Sequence, residues 1–214
     1  LGWISPGSFI PMAENLGLIN ELGDLVRRQA FEQFREWRQT HPELTLSINI
    51  SKRQLFATDF MRMLLADVER YELHPRNLVL EVTESVALMD VEFAEDRLRQ
   101  LSKAGFTLAI DDFGTGYASL SQLHELPIGE LKIDISFVRR LHTVEGLRMT
   151  QGIISLAQAL RLRTVAEGVE DEDTARLLRE LGVNALQGYH YARPCPASEF
   201  SALPLFASSE TPVN

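Results

Sequence analysis

Six short apolar, β-branched runs alternate with longer amphipathic segments along this chain, and that alternation leaves few folds open. The runs are Leu44 to Ile50, Asn77 to Thr83, Phe106 to Asp111, Glu130 to Asp134, Arg163 to Glu167 and Val183 to Gln187. Between them apolar residues recur three and four positions apart, which predicts helices over Glu21 to Thr40, Phe60 to Tyr71, Val91 to Ala104, Val144 to Leu160 and Asp171 to Leu181. Strand–helix alternation builds a parallel sheet, because each helix returns the chain to the side where the next strand begins. Gly105 is placed to end the helix that starts at Val91, and Asp171 to open the last one.

Two architectures satisfy this pattern. One is a doubly wound open sheet; the other is a TIM-like (β/α)8 barrel whose first strand or strands are missing or incomplete. Residues Leu1 to Ile19 read as a loop and short helix already under way, punctuated by Pro6 and Pro11. The barrel is therefore the simpler expectation, as one domain over residues 1–206 followed by a frayed polar tail over 207–214. The 214 residues, 45% of them hydrophobic, suffice for a full core without disulfides. Cys195 is the single cysteine, which excludes an intrachain disulfide and fits a reducing compartment. No apolar run approaches the roughly 18 residues of a membrane helix, so a soluble domain with no direct membrane contact is expected. The formal charge of −9 disfavours a nucleic-acid polymer as partner, since such binding relies on basic patches. An anionic substrate would need locally placed bases or a bound metal.

The polar residues fall where a barrel would use them. Asn49, Glu81 and Glu84, Asp111 and Asp112, Lys132 and Asp134, Glu167 and Gln187 all lie at the C-terminal ends of successive runs, the face that carries the site in parallel barrels. Glu81, Asp111, Asp112 and Glu167 would bring four carboxylates together, which is tolerable only if some take up protons or a cation neutralises them. Oxygen donors without thiolate or paired histidines favour a hard ion such as Mg²⁺, Mn²⁺ or Ca²⁺ over zinc. Asp111 and Asp112 should point to opposite sides if strand geometry persists, so that the pair could serve two ions, an apparatus suited to phosphodiester cleavage. Each piece also has a plainer reading. Glu81 to Glu84 could be helix capping, Asp111-Asp112 turn chemistry, Asn49 and Ser51 a strand end, Lys132 strand-face polarity, and Glu167 a turn before Gly168. Their coincidence on one face favours the site. A dinucleotide-binding reading of Gly114 to Ser119 fails on the serine at the third glycine position and on two aspartates before the loop.

The stretches Phe9-Ile10-Pro11, Asn49-Ile50-Ser51, Glu81-Val82-Thr83-Glu84, Asp111-Asp112-Phe113-Gly114-Thr115-Gly116-Tyr117, Lys132-Ile133-Asp134, Ala166-Glu167-Gly168-Val169-Glu170 and Gln187-Gly188-Tyr189 resemble the motifs of the EAL domain family, in order and spacing. The resemblance runs from about Gly2 to Phe200. It implies two-metal hydrolysis of cyclic di-GMP to linear pGpG in bacterial second-messenger signalling, with Mg²⁺ or Mn²⁺ as cofactor and Ca²⁺ as inhibitor. A catalytically impaired receptor for the same nucleotide is the alternative. By carry-over Asn49, Glu81 and Asp111 would hold one metal, and Asp112 and Glu167 the other. Lys132 and Glu167 are the candidate catalytic groups, either of them the base. Gln187 and Asp134 would face substrate. Glu84 would anchor the loop of Phe113, Gly114, Thr115 and Gly116, which in this family links the site to a dimer interface. The resemblance also implies a homodimer, a cytoplasmic location in a parent that can be membrane-anchored, and an upstream sensor or GGDEF domain. The acid of the Glu-Ala-Leu motif itself would precede Leu1, so the first metal site is expected to be incomplete in this chain and its activity impaired.

Overall fold

The computed structural model describes residues 4–87, 91–114, 116 and 120–203. Strands β1 (Leu46–Asn49), β2 (Leu78–Thr83), β3 (Thr107–Phe113), β4 (Glu130–Ile133), β5 (Arg163–Ala166) and β6 (Ala185–Leu186) form one sheet in the order of the sequence. Every neighbouring pair is parallel, with Asn49 opposite Glu81, Thr83 opposite Asp111, and Lys132 opposite Val165. A doubly wound sheet would reverse its strand order partway across. This one never does, which is the winding of a TIM-like barrel, left open between β1 and β6.

The helices that return the chain are α1 (Pro6–Leu16), α2 (Ile19–Thr40), α3 (Lys52–Phe56), α4 (Phe60–Arg70), α5 (Glu84–Ala87), α6 (Val91–Lys103), α7 (Leu120–Glu125), α8 (Ile135–Val138), α9 (Val144–Ala159), α10 (Glu172–Glu180) and α11 (Ala197–Phe200). Their ends follow local chemistry. The Asp171 side chain accepts the Thr174 N–H at 2.8 Å and caps α10. Gly105 turns left-handed (φ 98°) behind α6, where Phe106 N–H closes back on Leu101 O. The short helix expected before residue 19 is α1, with Pro6 in its first turn, Pro11 within it and Gly17 (φ 75°) ending it. The tail expected over 207–214 lies outside the described residues.

Strand alternation sorts the core into two sides. Leu78, Leu80 and Val82 of β2 and Leu108 and Ile110 of β3 join Leu64 of α4 and Leu98 and Leu101 of α6 in one buried cluster. Each such side chain contributes about 1.5–3 kcal/mol of transfer free energy. The residues between them, including Val79, Glu81, Glu130, Lys132, Arg163 and Val165, line a cavity of about 480 Å³ inside the sheet's curve. The last helix, α11, packs onto α2. The Phe200 and Trp37 rings stand 4.6 Å apart, and Trp37 Nε1 donates to Ser201 Oγ at 2.8 Å.

Candidate active site

The inward-facing residues nearest the C-terminal strand ends are charged. Lys132 on β4 is 3% exposed, and its ammonium meets Glu81 Oε2 of β2 at 2.7 Å, Asp111 Oδ1 of β3 at 2.9 Å and Glu167 Oε1, just past β5, at 2.6 Å. Four successive strands therefore deliver one cation and three anions to one point. Burial disfavours the ammonium, but hydrogen bonds to Glu167 and Glu81 outweigh it and raise its pKa above the ordinary lysine value. Burial also raises the Glu167 carboxyl, with Lys132 pulling in the opposite direction.

Asp112 joins this group by an unexpected route. An undistorted strand would aim it away from Asp111. The register shifts between Ile110 and Phe113, and Asp112 takes a left-handed backbone (φ 55°). That bulge breaks the alternation of side chains. As a result Asp111, Asp112 and Glu167 each offer an oxygen, all within 4.8 Å of one another. Burial and then the charge of Asp111 raise the Asp112 carboxyl above its usual range. An all-oxygen donor set of this kind fits a hard divalent cation.

The other sequence candidates surround this centre. Asn49 is exposed at the end of β1, in register with Glu81. Gln187 lies just past β6, exposed, its N–H bonded to Ala166 O, and it lines the same cavity. Asp134 is half-buried and caps α8, Oδ1 accepting the Ser136 N–H at 2.9 Å. Glu84 is buried at the start of α5, and its Oε2 accepts the N–H groups of Gly114 at 2.9 Å and Gly116 at 3.3 Å. The carboxylate thus ties the loop after β3 to the end of β2. Phe113 is buried, and Gly114 (φ 95°) has the Phe137 ring where a Cβ would stand. Thr115 lies outside the described residues.

Two features escaped the sequence reading. Glu130, buried and paired with Arg163 at 2.8 Å, faces the same cavity two residues before Lys132. The period of two measured back from Lys132 would have found it. A second cavity of about 270 Å³ adjoins Glu167 and is lined by Arg139 at the end of α8, Glu170 after β5, and Gln187 and Tyr189 after β6. No spacing in the sequence announces that convergence.

No helix among the described residues is long and apolar enough to cross a membrane. The EAL domain family model matches residues 1–194. The bifunctional diguanylate cyclase/cyclic di-GMP phosphodiesterase MucR of Pseudomonas aeruginosa is 40% identical over 203 residues, which are 94% of this chain and 30% of that protein. Signaling protein YkoW of Bacillus subtilis is 38% identical over 196 residues, 91% of this chain and 24% of that protein. The chain thus spans 30% and 24% of the length of these two relatives. Among solved structures, the PaMucR phosphodiesterase in complex with c-di-GMP superposes with a TM-score of 0.89 at 40% identity, covering 93% of this chain and 81% of that one. The EAL domain of Mycobacterium smegmatis DcpA gives 0.82 at 38% identity, covering 90% and 87%. By its sequence over residues 1–194, by the winding of its sheet and by the acids at its strand ends, this chain belongs to the EAL domain family.

Proposed function

We propose that this chain hydrolyses cyclic di-GMP to linear pGpG, as a cyclic-guanylate-specific phosphodiesterase domain. The observation that carries the reading is the convergence of Glu81, Asp111, Asp112 and Glu167 around Lys132 at one end of the sheet. Asn49, Glu81 and Asp111 would hold one divalent ion and Asp112 and Glu167 a second, with Asp111 near both; Mg²⁺ or Mn²⁺ suits such donors, and Ca²⁺ would inhibit. When bound, such a pair neutralises charge on the phosphoryl group and makes water a better nucleophile at neutral pH.

The chain's own groups supply the rest. Glu167 takes the proton of the attacking water as its oxygen bonds to phosphorus, while Lys132 stays an ammonium. The bond from phosphorus to the 3′ oxygen breaks in line, and that oxygen takes its proton from solvent as it leaves. The ammonium of Lys132 donates hydrogen bonds where negative charge grows on the phosphoryl oxygens. Gln187, which lines the cavity, and Asp134 would orient the substrate. Glu84 fixes the loop from Phe113 to Gly116 and, through it, the carboxylates just before. We propose further that the domain works as a homodimer in the cytoplasm, coupled through this loop to a neighbouring sensor or GGDEF domain of its parent protein.

The test is chromatography of cyclic di-GMP incubated with Mn²⁺ or Mg²⁺, using this chain and the natural protein that contains it. pGpG should appear and should vanish in EDTA. Nucleotide binding without turnover in the natural protein would replace the hydrolase with a receptor.

A further inference from the structure

Lys132 carries more than a place near the reacting water. An ammonium has three N–H donors, and here three carboxylate oxygens from three different strand ends stand within 2.9 Å of its nitrogen. The side chain is 4% exposed, so water supplies little of its solvation. Asp111 Oδ1 also accepts the Asp112 N–H at 3.1 Å, so the same oxygen fixes both the lysine and the bulge. Without a cation at this point, Glu81, Asp111 and Glu167 would repel one another across a few ångströms in a poorly hydrated pocket.

We propose that Lys132 is a built-in stand-in for metal: it holds the carboxylates converged before a divalent ion arrives, and it competes with that ion for Asp111 and its neighbours. This rests on the reading that these carboxylates are metal ligands, and it adds what holds them together apart from metal. The ordering comes at the expense of affinity. Each divalent ion approaches a cluster already partly neutralised, and its binding must loosen contacts that the ammonium makes. Metal occupancy then becomes a point of control, since the metal-free domain is folded, ordered and inactive.

The test uses the full chain, Mn²⁺ alone and no nucleotide. Lys132→Met keeps length and removes charge; Lys132→Arg keeps charge. In EDTA the methionine variant should melt about 5 °C or more below the wild type, and Mn²⁺ should restore most of the difference. Its affinity for Mn²⁺, followed by electron paramagnetic resonance or calorimetry, should be at least about tenfold tighter than wild type. The arginine variant should melt near the wild type in EDTA and bind Mn²⁺ no more tightly. A methionine variant that folds only with Mn²⁺ supports the proposal in its strongest form. Unchanged melting in EDTA, unchanged or weaker Mn²⁺ affinity, or a variant unfolded with and without metal each overturns it. So does equal tightening in the arginine variant, because charge would then not be the cause. Hydrolysis is not read in this experiment. Failure here leaves the phosphodiesterase standing, and failure of turnover leaves metal competition standing.

Discussion

Lys132 and Glu130 lie two residues apart on the same strand and face the same cavity, yet they sit in opposite electrostatic settings. Toward the floor, Glu130 meets one partner, the Arg163 guanidinium at 2.8 Å, one negative charge against one positive. Toward the mouth, Lys132 meets three carboxylates, with Asp112 as a fourth close by. A buried charge with a single opposite neighbour is already neutral and asks for nothing more. A buried excess of one sign attracts cations and, through them, anionic substrates. The space inside the sheet's curve is thus divided along the strands, with a neutral ion pair at one end and an excess of acids at the other.

Neutralising one carboxylate at each end is the most forceful way to break that contrast. Glu167→Gln should lower cyclic di-GMP turnover by about a thousandfold or more, while nucleotide binding measured in Ca²⁺ persists. Glu130→Gln should leave turnover within about threefold, because its carboxylate touches neither the ammonium nor the metal-facing acids. Comparable losses in the two variants would erase the distinction between mouth and floor.

A smaller effect is expected at the second ring of the mouth. Glu84→Gln replaces a buried carboxylate that accepts two backbone N–H groups by an amide that accepts them less well. Hydrogen bonds to charged groups contribute about 1.5–3 kcal/mol, so turnover should fall roughly tenfold to a hundredfold. Amide exchange at Gly114 and Gly116 should quicken in parallel. Loss of turnover with unaltered exchange would show that Glu84 acts on substrate and not on the loop. Gly168→Ala probes the same wall as packing. The residue is left-handed (φ 69°), and an added Cβ would lie 2.1 Å from Ile135 Cγ1. A stability loss of about 2 kcal/mol is expected, read as a lower denaturant midpoint. A variant as stable as the parent would mean that Ile135 moves aside freely.

Much of this architecture was written in side-chain type. The apolar run Leu78-Val79-Leu80, resumed at Val82 after Glu81, reads as a buried strand, and it is one. Asp171 and Gly105 announced helix ends, because capping depends on the residue itself. The site acids were legible because each closes a strand, and parallel strands share their ends. What stayed hidden depended on backbone detail. Nothing in Asp111-Asp112 reveals the bulge that swings both carboxylates to one side, since a bulge is set by how β3 meets β4. The strand expected over Val183 to Gln187 shrinks to Ala185–Leu186 for a similar reason. Asn184 turns its side chain onto the Thr164 N–H and hydroxyl at 2.8 and 3.0 Å, replacing ladder bonds that an extended β6 would have made.

The mildest test of the two ends is pH. Burial raises the Glu130 carboxyl above its ordinary value of 4.5, and Arg163 opposes this only in part. The folded chain therefore keeps that proton over a window above 4.5 in which the unfolded chain has already released it. Stability from this source is complete below the unfolded pKa and is lost as pH rises through the folded one. Glutamine carries no such proton. Denaturant titrations between pH 4.5 and 7 should then show the advantage of wild type over Glu130→Gln shrinking as pH rises, by on the order of 1 kcal/mol or less. An advantage that grows with pH would mean that the ion pair with Arg163 governs the site and that burial is secondary. The floor would then be held by attraction, as the mouth is around Lys132, and the two ends of β4 would differ only in the number of their partners.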